Sequence, residues 1–182
     1  MWKEVIRQRG VSTTVEEKLS RDNLVLKEDL RRQLDTLCKV LRSMDLLRQQ
    51  AIEPPRGAVL FGPPGTGKTQ IARTLARVSG LAMMDLGPMD FRGGSVGQAG
   101  LKVREVFERA RAQSPCIVFM DEFDSLAAAR GDYSDRFTEE FVNELLSQMD
   151  SIKKTSAVFL LGATTYVERI DPAVLARLTY TV

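Results

Sequence analysis

Histidine is missing from the chain altogether. That absence removes imidazole as a general acid or base and takes away the commonest zinc ligand. Cysteine is almost as scarce. Cys38 and Cys116 stand far apart, each inside an apolar pattern, which reads as two buried thiols in a reducing compartment rather than as a disulfide. No apolar run approaches the roughly 18 residues of a membrane span, and the opening MWKEVIRQRG is too charged for a signal peptide. Charge of one sign is not in surplus either. The chain carries 26 basic and 24 acidic residues, a net charge of +2, so it offers no electrostatic footprint for nucleic acid or for an acidic membrane. The expectation is a cytoplasmic segment with no nucleic-acid partner and no membrane contact of its own.

What is present is enough to build a full core: 182 residues, of which 43% are apolar and 27% charged, near the usual size of one domain. Leu30, Leu34, Leu37, Cys38 and Leu41 form a helical stripe within residues 27–47, and EPPRG ends it. Four short apolar runs follow, at 58–61, 81–86, 116–120 and 157–161, each the right length for a buried strand. Helical patterns separate them: residues 68–79, then Val103, Val106, Phe107 and Ala110, then Phe137, Phe141 and Leu145 with Val142, Leu146 and Met149. Strand and helix in alternation predict crossovers, hence a doubly wound, mainly parallel sheet with helices on both faces. Residues 1–21 are more weakly patterned and read as a linker or partner-binding segment.

The stretch GPPGTGKT, Gly62 to Thr69, follows the run AVLF directly and opens the helix KTQIARTLARV, the setting that a phosphate-binding loop requires. Gly62, Gly65 and Gly67 allow the backbone to curl so that its N–H groups converge on phosphate. The helix N-terminus adds its dipole there. Residues Pro64, Gly65, Thr66, Gly67, Lys68, Thr69 and Gln70 are therefore expected at the nucleotide, with Lys68 on the β and γ phosphates and the Thr69 hydroxyl on Mg2+. A second motif, CIVFMDEFD, ends a hydrophobic run in two carboxylates, at the sheet edge where such folds bind ligands. Asp121 would hold the shell of the metal, and Glu122 would polarise the water that attacks the γ-phosphate of ATP. Between these motifs lies FRGGSVGQAG, with four glycines in ten residues. On its own it fits a phosphate site, a hinge or a surface that touches a passing ligand, although no lysine follows at the spacing a second phosphate loop would need.

Taken in order, RGAVLFGPPGTGKT, VREVFERARAQSPCIVFMDEFDSL, FVNELLSQMDSI and LLGATTYVERIDPAVLAR resemble the AAA+ ATPase superfamily and, within it, the classical AAA group. The resemblance runs from about Asp22 to the last residue and implies a P-loop NTPase core over residues 22–182, with LTYTV as a fifth strand of the sheet. It further implies that Leu24 and Val25 pass the adenine, with Leu26 where the family often has glycine. The glycine loop would face the channel of a ring, and Ser95 stands where an aromatic residue usually grips a polypeptide. Thr165 stands where an asparagine usually senses the γ-phosphate. Arg177 would be the arginine finger that reaches a neighbouring subunit, with Ala176 in place of a second arginine. The helical lid that follows in the family does not appear in this sequence. The implied activity is Mg2+-dependent ATP hydrolysis in a homo-hexameric ring that remodels a protein client. Ser95 and Thr165 keep open a different reading, a nucleotide-controlled assembly module that threads nothing. A membrane-bound protease would need a span and a metal site outside these residues.

Overall fold

The computed structural model describes residues 26–50, 52–92, 98–130, 135–155 and 157–182. The proposed segment 1–21, Leu24, Val25 and Ser95 therefore lie outside the described residues. Along the chain come α1 (Glu28–Arg42), α2 (Met44–Gln49), β1 (Gly57–Phe61), α3 (Lys68–Ser79), β2 (Ala82–Leu86) and the single turn α4 (Pro88–Phe91). They are followed by α5 (Gln98–Ala112), β3 (Cys116–Met120), the turn α6 (Phe123–Leu126), α7 (Arg136–Thr155), β4 (Val158–Thr164), α8 (Pro172–Leu175) and β5 (Tyr180–Thr181).

The five strands form one sheet in the order β2-β3-β4-β1-β5, and every pairing is parallel. Successive strand side chains point to opposite faces, and the core divides accordingly. Ala58, Leu60, Ile117, Phe119, Phe159 and Leu161 pack with Leu34, Leu37 and Leu41 of α1 and with Ile71, Ala72 and Leu75 of α3. Val59, Val118, Met120, Val158 and Leu160 pack on the other face with Val103 and Phe107 of α5 and Phe141, Val142 and Leu145 of α7. Helices on both faces explain why β1, β3 and β4 read as continuous apolar runs instead of alternating ones.

Three local outcomes differ from the sequence expectation. The stripe over residues 27–47 is split into α1 and α2 at Ser43, whose hydroxyl donates to Lys39 O at 2.9 Å and so competes with the helical ladder. The second strand begins one residue late, because Gly80, in the left-handed conformation (φ 75°), caps α3 and Leu81 N still bonds back to Ala76 O. The fourth strand runs on from Leu161 to Thr164. Gly162 belongs inside it because a Cβ there would stand 2.6 Å from Cδ1 of Phe123. Only a residue with no side chain lets the first turn of α6 lie flat on β4.

Candidate functional site: a phosphate cleft at the carboxyl edge of three strands

Because β4 lies between β3 and β1, the loops that leave these three strands converge. Between β1 and α3 the glycine loop takes positive φ at Gly62 (154°), Gly65 (76°) and Gly67 (85°). No side chain stands within 4 Å of a Cβ built at Gly65 or Gly67, so backbone conformation, and not crowding, requires glycine at these two positions. Gly67 is the N-cap of α3, and Lys68 and Thr69 are its first two residues. Their amides are among those that a helix leaves without partners at its start.

The polar side chains of the loop bond within the cleft. Lys68 Nζ donates to Gly62 O at 2.8 Å and to Pro63 O at 3.0 Å, while Thr66 Oγ1 donates to Pro63 O at 2.9 Å. Thr69 Oγ1 donates to Asp121 Oδ2 at 2.7 Å. The other oxygen of Asp121 accepts from Glu122 N at 2.9 Å, and Asp121 N donates to Leu86 O at 2.9 Å, which holds the end of β3 beside β2. Glu122 itself is left-handed, with φ 47° and ψ 45°, a conformation that side chains other than glycine adopt at a cost. Its carbonyl accepts from both Ser125 N and Ser125 Oγ, each at 2.8 Å.

An open cleft of about 670 Å³ lies over these groups. Pro64, Gly65, Gly67, Lys68, Thr69 and Gln70 line it from the loop side, Asp121 and Glu122 from β3, and Thr164 and Thr165 from β4. Thr165 is the first residue beyond β4, so the predicted phosphate sensor does reach the same cleft as the loop and the acids. A hydroxyl and a carboxylate in direct contact are hard oxygen donors. They suit a magnesium ion, which usually takes one or two protein carboxylates and completes its shell with phosphate and water oxygens.

Arg177 is elsewhere. It follows α8 and lines a separate depression of about 460 Å³ together with Glu53, Arg56 and Thr179. Its Nε and Nη2 donate to Asp150 Oδ1 and Oδ2 at 3.0 and 2.9 Å, and its Nη1 donates to Ala173 O at 2.9 Å. The guanidinium holds the Asp150 carboxyl below its ordinary range. Arg56 Nη1 also reaches Asp150 Oδ1, at 3.2 Å.

Several groups in the cleft escaped the sequence reading. Asp124, Ser125, Tyr166 and Arg73 line it as well, and Arg73 pairs with Asp85 at 2.9 Å. Asp124 had a signal, since it stands three residues after Asp121 at the start of the same turn. Arg73 had a weaker one, lying one helical turn beyond Gln70 on α3.

Comparison with known proteins meets this geometry. The family model described as "ATPase family associated with various cellular activities (AAA)" matches residues 58–182, more than half of the chain. The chain is 40% identical over 136 residues to a cell division cycle protein 48 homolog of Archaeoglobus fulgidus, covering 74% of this chain and 19% of that protein. It is 38% identical over 138 residues to a 26S proteasome regulatory subunit 6B homolog of Aspergillus niger, covering 74% and 33%. It is also 38% identical over 151 residues to the ATP-dependent zinc metalloprotease FtsH 1 of Symbiobacterium thermophilum, covering 81% and 25%. The chain thus spans a third or less of the length of each of these relatives. Among the described residues no helix is long and apolar enough to cross a membrane.

Proposed function

The chain belongs to the AAA family and is an AAA-type ATPase core, and from that premise we propose that its cleft binds Mg2+-ATP and hydrolyses it to drive the remodelling of a protein client. The observation that carries this reading is the contact between Thr69 and Asp121 beside Lys68 and Glu122, which gathers metal donors, a phosphate cation and a candidate base around one space. In it, Lys68 exchanges its two loop carbonyls for the β and γ phosphates, a charge-assisted pairing stronger than the one it leaves. Thr69 and Asp121 hold the magnesium ion, which when bound neutralises charge that develops on the phosphates. Glu122 polarises the attacking water, and Thr165, at the end of the neighbouring strand, orients it. Leu24 and Val25 pass the adenine.

Arg177 serves the nucleotide of a neighbouring copy, in a homo-hexameric ring. Its place outside its own chain's cleft supports that role. Residues 22–182 form the nucleotide-binding core and residues 1–21 a linker or partner-binding segment. The glycine loop with Ser95 faces the channel, and the protein works in the cytoplasm. A relative named as a proteasome subunit supports a polypeptide client.

Calorimetry and phosphate release test the chemistry. Lys68→Ala should abolish ATP binding, because it removes the cation without replacing it. Glu122→Gln should bind ATP as the unaltered chain does and turn over about 10²- to 10⁴-fold more slowly. Loss of binding in Glu122→Gln with an intact fold would remove Glu122 from its role.

A further inference from the structure

One acid of the cleft has no part in these steps. Asp124 sits in the first turn of α6 and lines the cleft, and its Oδ1 accepts a hydrogen bond from Thr164 Oγ1. Thr164 is only 2% exposed. Its hydroxyl oxygen in turn accepts from Tyr166 N at 3.0 Å, and its carbonyl accepts from Gly62 N at 3.3 Å. A hydroxyl has a single proton to give. By giving it to Asp124, Thr164 keeps a lone pair for the Tyr166 amide, and the backbone closes into a turn around Thr165. At its other end Asp124 belongs to the turn that starts at left-handed Glu122, a conformation that persists only where its surroundings hold it.

We propose that Asp124 is a positioning residue for hydrolysis: through Thr164 it ties the turn that carries Thr165 to the turn that carries Glu122, so the two groups flanking the γ-phosphate keep a fixed separation. This rests on the ATPase reading above. An ionised carboxylate suits the task for two reasons. It only accepts, so the Thr164 proton has one direction, and a charged acceptor makes the stronger bond. An amide could turn its nitrogen toward Thr164 and reverse the bond, so asparagine should restore part of the function and alanine none.

The test measures kcat and the KM for ATP in the assembled parent protein, and amide hydrogen exchange at Tyr166 in the same protein. Asp124→Ala should lower kcat about ten- to a hundredfold, the scale of small misplacements at a reacting centre. Its KM should stay near that of the unaltered chain, and the Tyr166 amide should exchange faster. Asp124→Asn should fall between the two. Thr164→Val should reproduce the kcat loss, the double variant should be no worse than either single one, and Thr164→Ser should recover most of what Thr164→Val loses. Additive losses would overturn the proposal, because residues acting through one bond do not add. So would a raised KM at unchanged kcat, which would make Asp124 a nucleotide contact, or unchanged exchange at Tyr166. Absence of turnover in the unaltered, assembled parent protein, with faster Tyr166 exchange in Asp124→Ala, would instead overturn the ATPase reading and leave the tie purely structural.

Discussion

At the phosphate cleft, the groups that matter leave the ends of three adjacent strands of one sheet, and some of them are held under strain. At Arg177, the guanidinium sits in a corner between α7 and α8 with acceptors on all three nitrogens, and nothing there is strained. Glu122 is left-handed and fixed by hydrogen bonds at both its amide and its carbonyl, whereas Asp150 is half-exposed and shared between Arg56 and Arg177. The difference separates two kinds of function. The cleft draws its described lining groups from one chain. Arg177 is fully paired, but its partner Asp150 is half-exposed and shared with Arg56, so its bonds can be exchanged for those of another acceptor, as the proposed service to a neighbouring subunit demands.

The largest effect should come from separating binding from turnover. Arg177→Ala should leave the affinity of the isolated chain for ATP unchanged, yet lower hydrolysis in the assembled parent protein about 10³- to 10⁵-fold, as loss of an arginine finger does elsewhere. Mixing it with Lys68→Ala should restore activity, since each chain supplies what the other lacks. A phosphate-release assay on the mixture checks this, and failure of the mixture to exceed both parents would put Arg177 to work in its own chain or not at all.

A smaller effect should appear where the cleft is rigid. Gly162→Ala places a methyl group against the Phe123 ring and should cost about 1–3 kcal/mol, the usual range for overpacking. Denaturant unfolding measures it, with ATP affinity followed in the same variant because Phe123 adjoins Glu122. An unchanged midpoint would mean that α6 gives way freely and that the cleft is not held as described.

The smallest effect should appear at the arginine corner. The Asp150 carboxyl titrates below its ordinary value of 3.8, so its pairing is fully present above that value and fades as pH falls through the lowered one. An exposed pair of this kind contributes about 1 kcal/mol or less. Asp150→Asn should therefore flatten the acid limb of the stability profile slightly and leave neutral stability nearly unchanged. A large loss at neutral pH would show that the corner is as rigid as the cleft.

Much of the cleft was legible because its chemistry is local in sequence. GPPGTGKT after a strand announces both the conformation of the loop and its place at a helix start, and MDE after an apolar run announces acids at the sheet edge. The alternation of runs likewise predicts a parallel sheet of four strands, and the family resemblance adds the short fifth strand. What escaped depends on contacts between distant residues. Nothing near Asp124 says that Thr164, forty residues on, will donate to it. Nothing near Arg177 points to Asp150 on another helix. The end of β4 was read too early at Gly162 because glycine usually interrupts a strand, and only the ring of Phe123 explains why here it does not.

The strand order also bears on how the molecule is made. β1, which launches the phosphate loop, pairs with β4 and β5 and with no strand that lies close to it in the chain; Gly57 meets Leu160, and Ala58 meets Tyr180. During synthesis, at about 5–20 residues per second, β1 leaves the ribosome well before either neighbour exists. For those seconds its backbone edges are unpaired and its apolar side chains lack the sheet that later buries them, so the strand that launches the glycine loop needs shelter while the chain is being born.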